Sequence, residues 1–237
     1  MKPINIVHIY PEEMNIYGDN GNVLVLRQRL LWRGIPAKVL NIGVGDNLPA
    51  DTNLIIGGGG QDAGQSIIAE DLQAKAKDLK NLAQNGIPML MICGMYQMFG
   101  HYFKTQDNHK IPGIGILDLN TVASDGRLIG NITDQTEWGD VIGYENHSGR
   151  TFLGDNVKSF GMTKKGQGNN GKDKTEGAVW NNVFGSYLHG PLLAKSPNFA
   201  DYLLNLAITQ AGNNIILSPL NDQLEALAAK TAKSRPR

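Results

Sequence analysis

Apolar positions along the chain fall into short runs separated by longer amphipathic stretches. Residues 4–10 read as a buried strand, largely β-branched and closed by Pro11. Asp19 or Asn20 can cap a helix running to about Arg33, with Val23, Leu26 and Leu30 on its apolar side and Gly34 as its stop. Residues 37–42 and 53–56 repeat the strand pattern, and the second of these runs straight into the glycine run 57–60. Ile68, Leu72, Leu79 and Leu82 recur near helical spacing across residues 64–85, and Gly86 ends that stretch. Residues 88–92 form an uncharged strand leading directly to Cys93, and residues 95–103 continue as a helix. Strands alternating with helices predict an α/β chain with a mostly parallel, doubly wound sheet flanked by helices.

The middle departs from this alternation. Residues 114–119, 120–123, 127–132 and 141–145 read as short strands joined by turns, and residues 164–175 as a polar loop without a core-forming residue. A strand over 183–188 ends at His189, and a helix covers 198–207. Ser218 and Pro219 can open a last helix carrying Leu220, Leu224 and Leu227. Such a stripe is expected to pack on the chain's own sheet, docking on a partner being its less common use. Residues 230–237 are expected to fray. With no repeat or linker to divide them, residues 1–210 read as one domain and 211–237 as its carboxy-terminal helix and tail.

Composition narrows the function. At 237 residues, 41% hydrophobic and 19% charged, the chain can fold around a sizeable core. Basic and acidic residues number 22 each, so no net field exists to hold nucleic acid or an anionic membrane. The start lacks the apolar region of a signal peptide, and no apolar run approaches the ~20 residues that span a bilayer; a cytoplasmic location is expected. The single cysteine excludes an internal disulfide and cysteine-based zinc clusters. The histidines lack ligand spacing with carboxylates, so no metal site is expected.

That cysteine follows a strand and precedes a helix, the arrangement of a nucleophile elbow. A thiol at a helix amino terminus meets unpaired N–H groups and the positive end of the dipole, which favour the thiolate. Gly94 relieves the tight turn and frees its N–H for a developing oxyanion. From position alone, a buried structural cysteine is an equal reading. The glycine run lets backbone N–H groups approach a ligand; without a following Lys-Ser/Thr it suits an oxyanion better than a phosphate. A cysteine nucleophile needs a base. Of the five histidines, His8 reads as packed core and His101 and His109 as surface. His189 ends a strand, where the sites of parallel sheets gather, which favours it and leaves His147 open.

Three segments occur in order: Ile92-Cys93-Gly94-Met95-Tyr96-Gln97-Met98-Phe99-Gly100, Gly143-Tyr144-Glu145…His147…Gly149-Arg150-Thr151, and Gly185-Ser186-Tyr187-Leu188-His189-Gly190. Together they resemble the class I glutamine amidotransferase family, in its cobyric-acid-synthase-like branch, across roughly residues 4–210. The resemblance implies a flavodoxin-like α/β fold and a Cys93–His189 pair that hydrolyses L-glutamine through a Cys93 thioester. It implies oxyanion donors at Gly94 and in the glycine run, at Gly58 and Gly59. It also implies substrate contacts from Gln97, His147 and Arg127, an arginine suiting a carboxylate by bidentate pairing.

The segment Tyr10-Pro11…Asn15-Ile16-Tyr17-Gly18-Asp19…Gly21-Asn22-Val23 is similar to free-standing subunits of the same family. Those work with a Mur-ligase-like subunit, MurT, in amidating D-glutamate of the lipid II stem peptide during peptidoglycan synthesis. The resemblance thus implies a heterodimer, with ATP and Mg2+ on the partner and no cofactor in this chain. A different ammonia acceptor, such as a corrinoid acid, and a non-catalytic subunit on the same fold are the alternatives. Met91 and Met95 stand where the family often has glycine. Pro191 stands where many members place a glutamate two residues after the histidine, so a dyad is expected, with any third carboxylate coming from the partner.

Overall fold

The computed structural model describes residues 2–236. Ile4–Ile9 (β1), Ala37–Ile42 (β2), Leu54–Gly57 (β3) and Met89–Ile92 (β4) pair in parallel. β1, β3 and β4 are buried at every position, as strands covered on both faces must be. Helices Asn20–Leu31 (α1), Asp62–Gln84 (α2) and Gly94–Phe99 (α3) follow β1, β3 and β4. The chain then builds a second sheet from Tyr102–Lys104 (β5), Lys110–Pro112 (β6), Leu119–Thr136 (β7), Gly139–Leu153 (β8), Gly161–Lys165 (β9) and Thr175–Glu176 (β10). Ala178–Trp180 (β11) and Val183–Ser186 (β12) return to the first sheet and complete the order β11-β12-β4-β3-β1-β2, in which only β11 is antiparallel. Pro197–Gln210 (α4) packs beside α1, and Gln223–Ser234 (α5) closes the chain.

The register of the first sheet decides where chemistry can occur. Gly57 pairs with Met91, and Ser186 with Ile92. The glycine run, Cys93 and His189 therefore leave neighbouring parallel strands at the same carboxy-terminal edge, where crevices form in open α/β sheets.

Several sequence expectations are corrected. The helix expected over 95–103 stops at Phe99: the backbone turns extended at Gly100, and Tyr102–Lys104 pairs with Asn120–Val122. Residues 114–118, expected as a strand, form none, and the short strands expected from 120 to 145 are parts of two long ones, β7 and β8, which form an antiparallel hairpin whose register shifts between Ala123 and Leu128. Residues 164–175 comprise the end of β9 and a polar loop after it, exposed over 171–174, which sends Gly168, Asn169 and Asn170 into the interior. Asn169 is fully buried, its Oδ1 accepting from Tyr96 Oη (3.0 Å) and Gly177 N (3.0 Å) and its Nδ2 donating to Thr175 Oγ1 (3.0 Å) and Gly177 O (2.9 Å), so every polar atom of the side chain is satisfied. The last helix begins at Gln223, leaving Leu220 outside it, and lies beside β7 and β8 with its leucines mostly exposed rather than buried: Leu224 is 76% and Leu227 59% exposed. α5 is held by its ends. Arg29 Nη1 meets Asp222 Oδ1 at 2.6 Å, Lys233 Nζ meets Asp140 at 2.5 Å, and Asn131 Nδ2 donates to Pro236 O at 2.5 Å. The tail expected to fray is thus hydrogen-bonded as far as Pro236, while Arg237 lies outside the described residues.

The second sheet also encloses three fully buried carboxyl groups, Asp134 on β7, Glu145 on β8 and Glu176 on β10. Glu145 accepts the N–H groups of Gln167 (2.9 Å) and Gly168 (3.0 Å), and Glu176 that of Tyr187 (2.6 Å). Burial, reinforced by the charge of Glu145, pushes Asp134 from 3.8 up to about 7. Burial and the charge of Asp134 raise Glu176 as well. The folded chain thus keeps on Asp134 a proton that the unfolded chain releases near 3.8, and stability falls as pH rises from there through about 7. Asp134→Asn, which cannot charge, is expected to melt higher than the parent above pH 7, by about 2–4 °C for each kcal/mol gained, and close to it at pH 4. Thermal melts from pH 4 to 8 check this; a difference independent of pH would contradict it.

Candidate active site

β4 delivers Cys93 in a backbone conformation that a non-glycine residue adopts only under constraint, φ +50° and ψ −104°. Hydrogen bonds on both sides hold it: Cys93 N donates to Ser186 O (2.8 Å), and Cys93 O accepts from Gln97 N (3.0 Å). Gly94 fits next because a Cβ there would lie 2.9 Å from the backbone nitrogen of Gly60, which cannot swing aside as the nearby Met14 and Gln65 side-chain ends can. This is the strand-turn-helix geometry of a nucleophile elbow. Cys93 is buried and lines a cavity of about 890 Å³.

His189 leaves β12 and is pinned to β8 by two backbone bonds, His189 N to Tyr144 O (3.0 Å) and Tyr144 N to His189 O (3.2 Å). Its Nδ1 donates to Asp19, 2.9 Å from Oδ2 and 3.1 Å from Oδ1, which directs Nε2 to serve as the working nitrogen. Cys93, His189 and Asp19 meet around Gly59: a Cβ at that position would lie 2.5 Å from His189 Cε1, 3.0 Å from Asp19 Oδ2 and 3.2 Å from Cys93 Cβ. Burial pushes the imidazolium down, but the Cys93 sulfur and the Asp19 carboxylate outweigh it and raise His189 to about 10. A buried thiol, an imidazole and an orienting carboxylate in this order suit acyl transfer from an amide.

Where sequence alone pointed to none within the chain, the chain itself brings His189 a carboxylate, that of Asp19. The sequence placed it as a helix cap, yet its side chain makes no cap bond and instead takes His189 Nδ1 and Gly59 N (2.7 Å). At Pro191, where many family members carry a glutamate, the ring fills the space beside Gly21. The only signal for Asp19 in the sequence is its place after the first strand, at the edge where sites gather.

The glycine run is also redistributed. The Gly59 N–H is committed to Asp19, so Gly59 is not the oxyanion donor expected, and Gly58 packs against Met14 O. Gly60 lies beside the elbow, its amide nitrogen 2.9 Å from the point a Gly94 Cβ would occupy, and it lines the cavity with Cys93.

The three expected substrate contacts all line this cavity. The amide of Gln97 is spent within the protein, accepting from Gln65 Nε2 (2.6 Å) and donating to Tyr187 Oη (3.1 Å). It therefore shapes the wall. His147 stacks on Tyr187 (centroids 3.5 Å apart, 6° between planes) and donates from Nδ1 to Gly149 O (2.8 Å); burial lowers it to about 3, which keeps it neutral. Arg127 stands exposed at the rim, with Nε on Asn146 Oδ1 (2.7 Å) and Nη2 on Asn146 O (2.8 Å). Tyr17 and Asn146, not singled out from sequence, line the same cavity.

Residues 5–197 match the CobB/CobQ-like glutamine amidotransferase domain. The chain is 36% identical over 214 residues to the GatD subunit of lipid II isoglutaminyl synthase (glutamine-hydrolyzing) from Staphylococcus aureus strain N315, covering 90% of this chain and 87% of that protein. It is 39% identical over 226 residues to the corresponding subunit of Streptococcus pneumoniae strain R6, covering 93% and 87%. A chain of the Thermotoga maritima PurLQS structure superposes with a TM-score of 0.61 at 19% identity, over 86% of this chain and 99% of that one, a likeness of fold.

The His189–Asp19 bond generates a measurable shift. Removing the carboxylate charge removes one cause of the raised value, so Asp19→Asn is expected to lower the His189 midpoint from about 10 by about 1–3 pH units. NMR titration of the imidazole checks this, and an unmoved midpoint would contradict the assignment.

Proposed function

The chain belongs to the CobB/CobQ-like glutamine amidotransferase family, and from that premise we propose that it is the glutamine-hydrolysing subunit of a two-chain amidating enzyme, with Cys93 as nucleophile and His189 as acid and base. The observation that carries this reading is the lone cysteine on a strained elbow, meeting a histidine whose far nitrogen is bonded to a buried carboxylate.

In this mechanism the Cys93 thiolate attacks the side-chain amide carbon of L-glutamine. The carbonyl oxygen becomes an oxyanion between the N–H groups of Gly94 and Gly60, each such donor being worth about 3 kcal/mol. His189 gives its Nε2 proton to the departing nitrogen, the C–N bond breaks, and ammonia leaves a glutamyl thioester. Water then attacks the thioester while His189 takes its proton; glutamate departs and the thiolate returns. Arg127, steadied by Asn146, holds the substrate's α-carboxylate at the cavity mouth.

For the fate of the ammonia, the likeness to two GatD subunits over most of both chains favours lipid II isoglutaminyl synthesis. The partner is then a Mur-ligase-like chain of the MurT type, holding ATP and Mg2+, that converts D-glutamate of the stem peptide to D-isoglutamine in the cytoplasm. No helix among the described residues is long and apolar enough to cross a membrane.

Cys93→Ser is expected to cut glutamate formation by at least about 1,000-fold while the thermal midpoint stays near the parent's. A variant retaining near-normal rate would refute the thioester. Arg127→Ala is expected to raise the KM for glutamine by about 10-fold or more with little change in kcat, the loss of a charged hydrogen-bonded contact. Coupled assays with the Mur-ligase-like partner are expected to yield amidated stem peptide that depends on Cys93 when glutamine is the nitrogen source. Free ammonium should restore product with Cys93→Ser. Mass spectrometry of the stem peptide reads both.

A further inference from the structure

We infer that Tyr17 is a positioning residue that links capture of the substrate carboxylate at Arg127 to the orientation of His189; this rests on the roles proposed above for Cys93, His189 and Arg127. Tyr17 lies in the short 3-10 turn Ile16–Gly18 between β1 and α1, with φ +55° and ψ 22°. That left-handed conformation is unfavourable for any residue with a Cβ. Core packing does not account for keeping a tyrosine there, since the residue is 49% exposed. Its contacts do. The ring meets the His189 imidazole edge-on, with centroids 4.9 Å apart and 66° between planes. Its hydroxyl accepts from Asn146 Nδ2 at 2.6 Å. Asn146 in turn accepts both bonds from Arg127. An unbroken chain, Arg127 to Asn146 to Tyr17 to His189, therefore crosses the mouth of the cavity that Cys93 lines.

The turn bearing Tyr17 is itself anchored to the site. Ile16 N donates to Gly59 O (3.0 Å), and Asp19, two residues on, holds His189 Nδ1. One short segment thus grips the imidazole twice, by a hydrogen bond at one nitrogen and by a ring contact. Tyr17 also ties the first sheet's loop to β8 of the second sheet through Asn146. The hydroxyl steadies the Asn146–Arg127 pair that meets the substrate, and the ring restrains the histidine that moves the proton. The two halves of the side chain therefore have separable kinetic effects.

Steady-state glutamine hydrolysis by three single variants and one double variant separates them. Tyr17→Phe loses only the hydroxyl and is expected to raise the KM for glutamine about 5–10-fold with kcat within about twofold of the parent. Asn146→Ala is expected to match that KM, and adding it to Tyr17→Phe to bring no further rise, because both break one chain. Tyr17→Gly also removes the ring and relieves the left-handed backbone. It is expected to lose at least about 10-fold in kcat while its melting temperature stays level or rises. A purely structural tyrosine would show the opposite pattern, a lower melting temperature with no split between KM and kcat. Parental KM in Tyr17→Phe, additive effects in the double variant, or parental kcat in Tyr17→Gly would each overturn the inference. Glutamine hydrolysis surviving in Cys93→Ser would remove the reading beneath it, whereas an inactive Cys93→Ser beside unaltered Tyr17 variants would remove this inference alone.

Discussion

The buried Asp19 carboxylate sets the register of everything at the carboxy-terminal edge of the first sheet. It accepts from Gly59 on the loop after β3 and from His189 after β12, while belonging itself to the loop after β1. Three crossovers, distant in sequence, are thereby drawn to one fully buried group. A buried carboxylate is tolerable only when it is paired and hydrogen-bonded, so the pairing enforces the convergence as much as it results from it. Cys93 completes the arrangement from the fourth strand, its unfavourable φ held by the bond from its own N–H to Ser186 on the neighbouring strand.

The wall beside this edge is shared by α2, α3, the segment after β12 and the second sheet. Gln65, Gln97, Tyr187, Thr151 and Thr121 form a continuous buried run of hydrogen bonds, with Gln65 to Gln97 at 2.6 Å, Gln97 to Tyr187 at 3.1 Å, Tyr187 to Thr151 at 2.6 Å and Thr151 to Thr121 at 2.7 Å. His147 lies flat on the Tyr187 ring at one side of it. Runs of this kind specify a single packing, because any displaced member leaves a buried polar atom without a partner. β8 contributes twice, with Tyr144 pinning the backbone of His189 and Asn146 bracing Arg127.

The elements around the site were legible because parallel strands buried on both faces leave uninterrupted apolar runs, and Cys93 and His189 stand where two such runs end. The second sheet was not, since its long strands carry polar residues on an open face and a shift of register between Ala123 and Leu128, which read as turns. Asp19 was hidden for a different reason. An aspartate before a helix is satisfied locally by capping, and nothing local shows that it bonds a histidine 170 residues away. Nor can four consecutive glycines reveal which amide is taken; that Gly59 is occupied and Gly60 stands by the elbow depends on the fold alone. The leucines of the last helix met the apolar pattern but not its usual consequence, because α5 is held by ionic and polar contacts at its ends.

That mode of attachment gives the carboxy terminus an opening reaction of its own. With few buried apolar contacts to break, α5 belongs to the part of the molecule whose amides exchange with solvent at a free energy well below that of global unfolding. Its ion pairs are unequal: Asp222 reaches the buried Arg29, whereas Lys233 meets Asp140 in the open, where salt screens the pair. Rising ionic strength therefore weakens the Lys233 attachment before the Arg29 one, and the carboxy terminus carries a salt dependence that the sheets beneath it do not share.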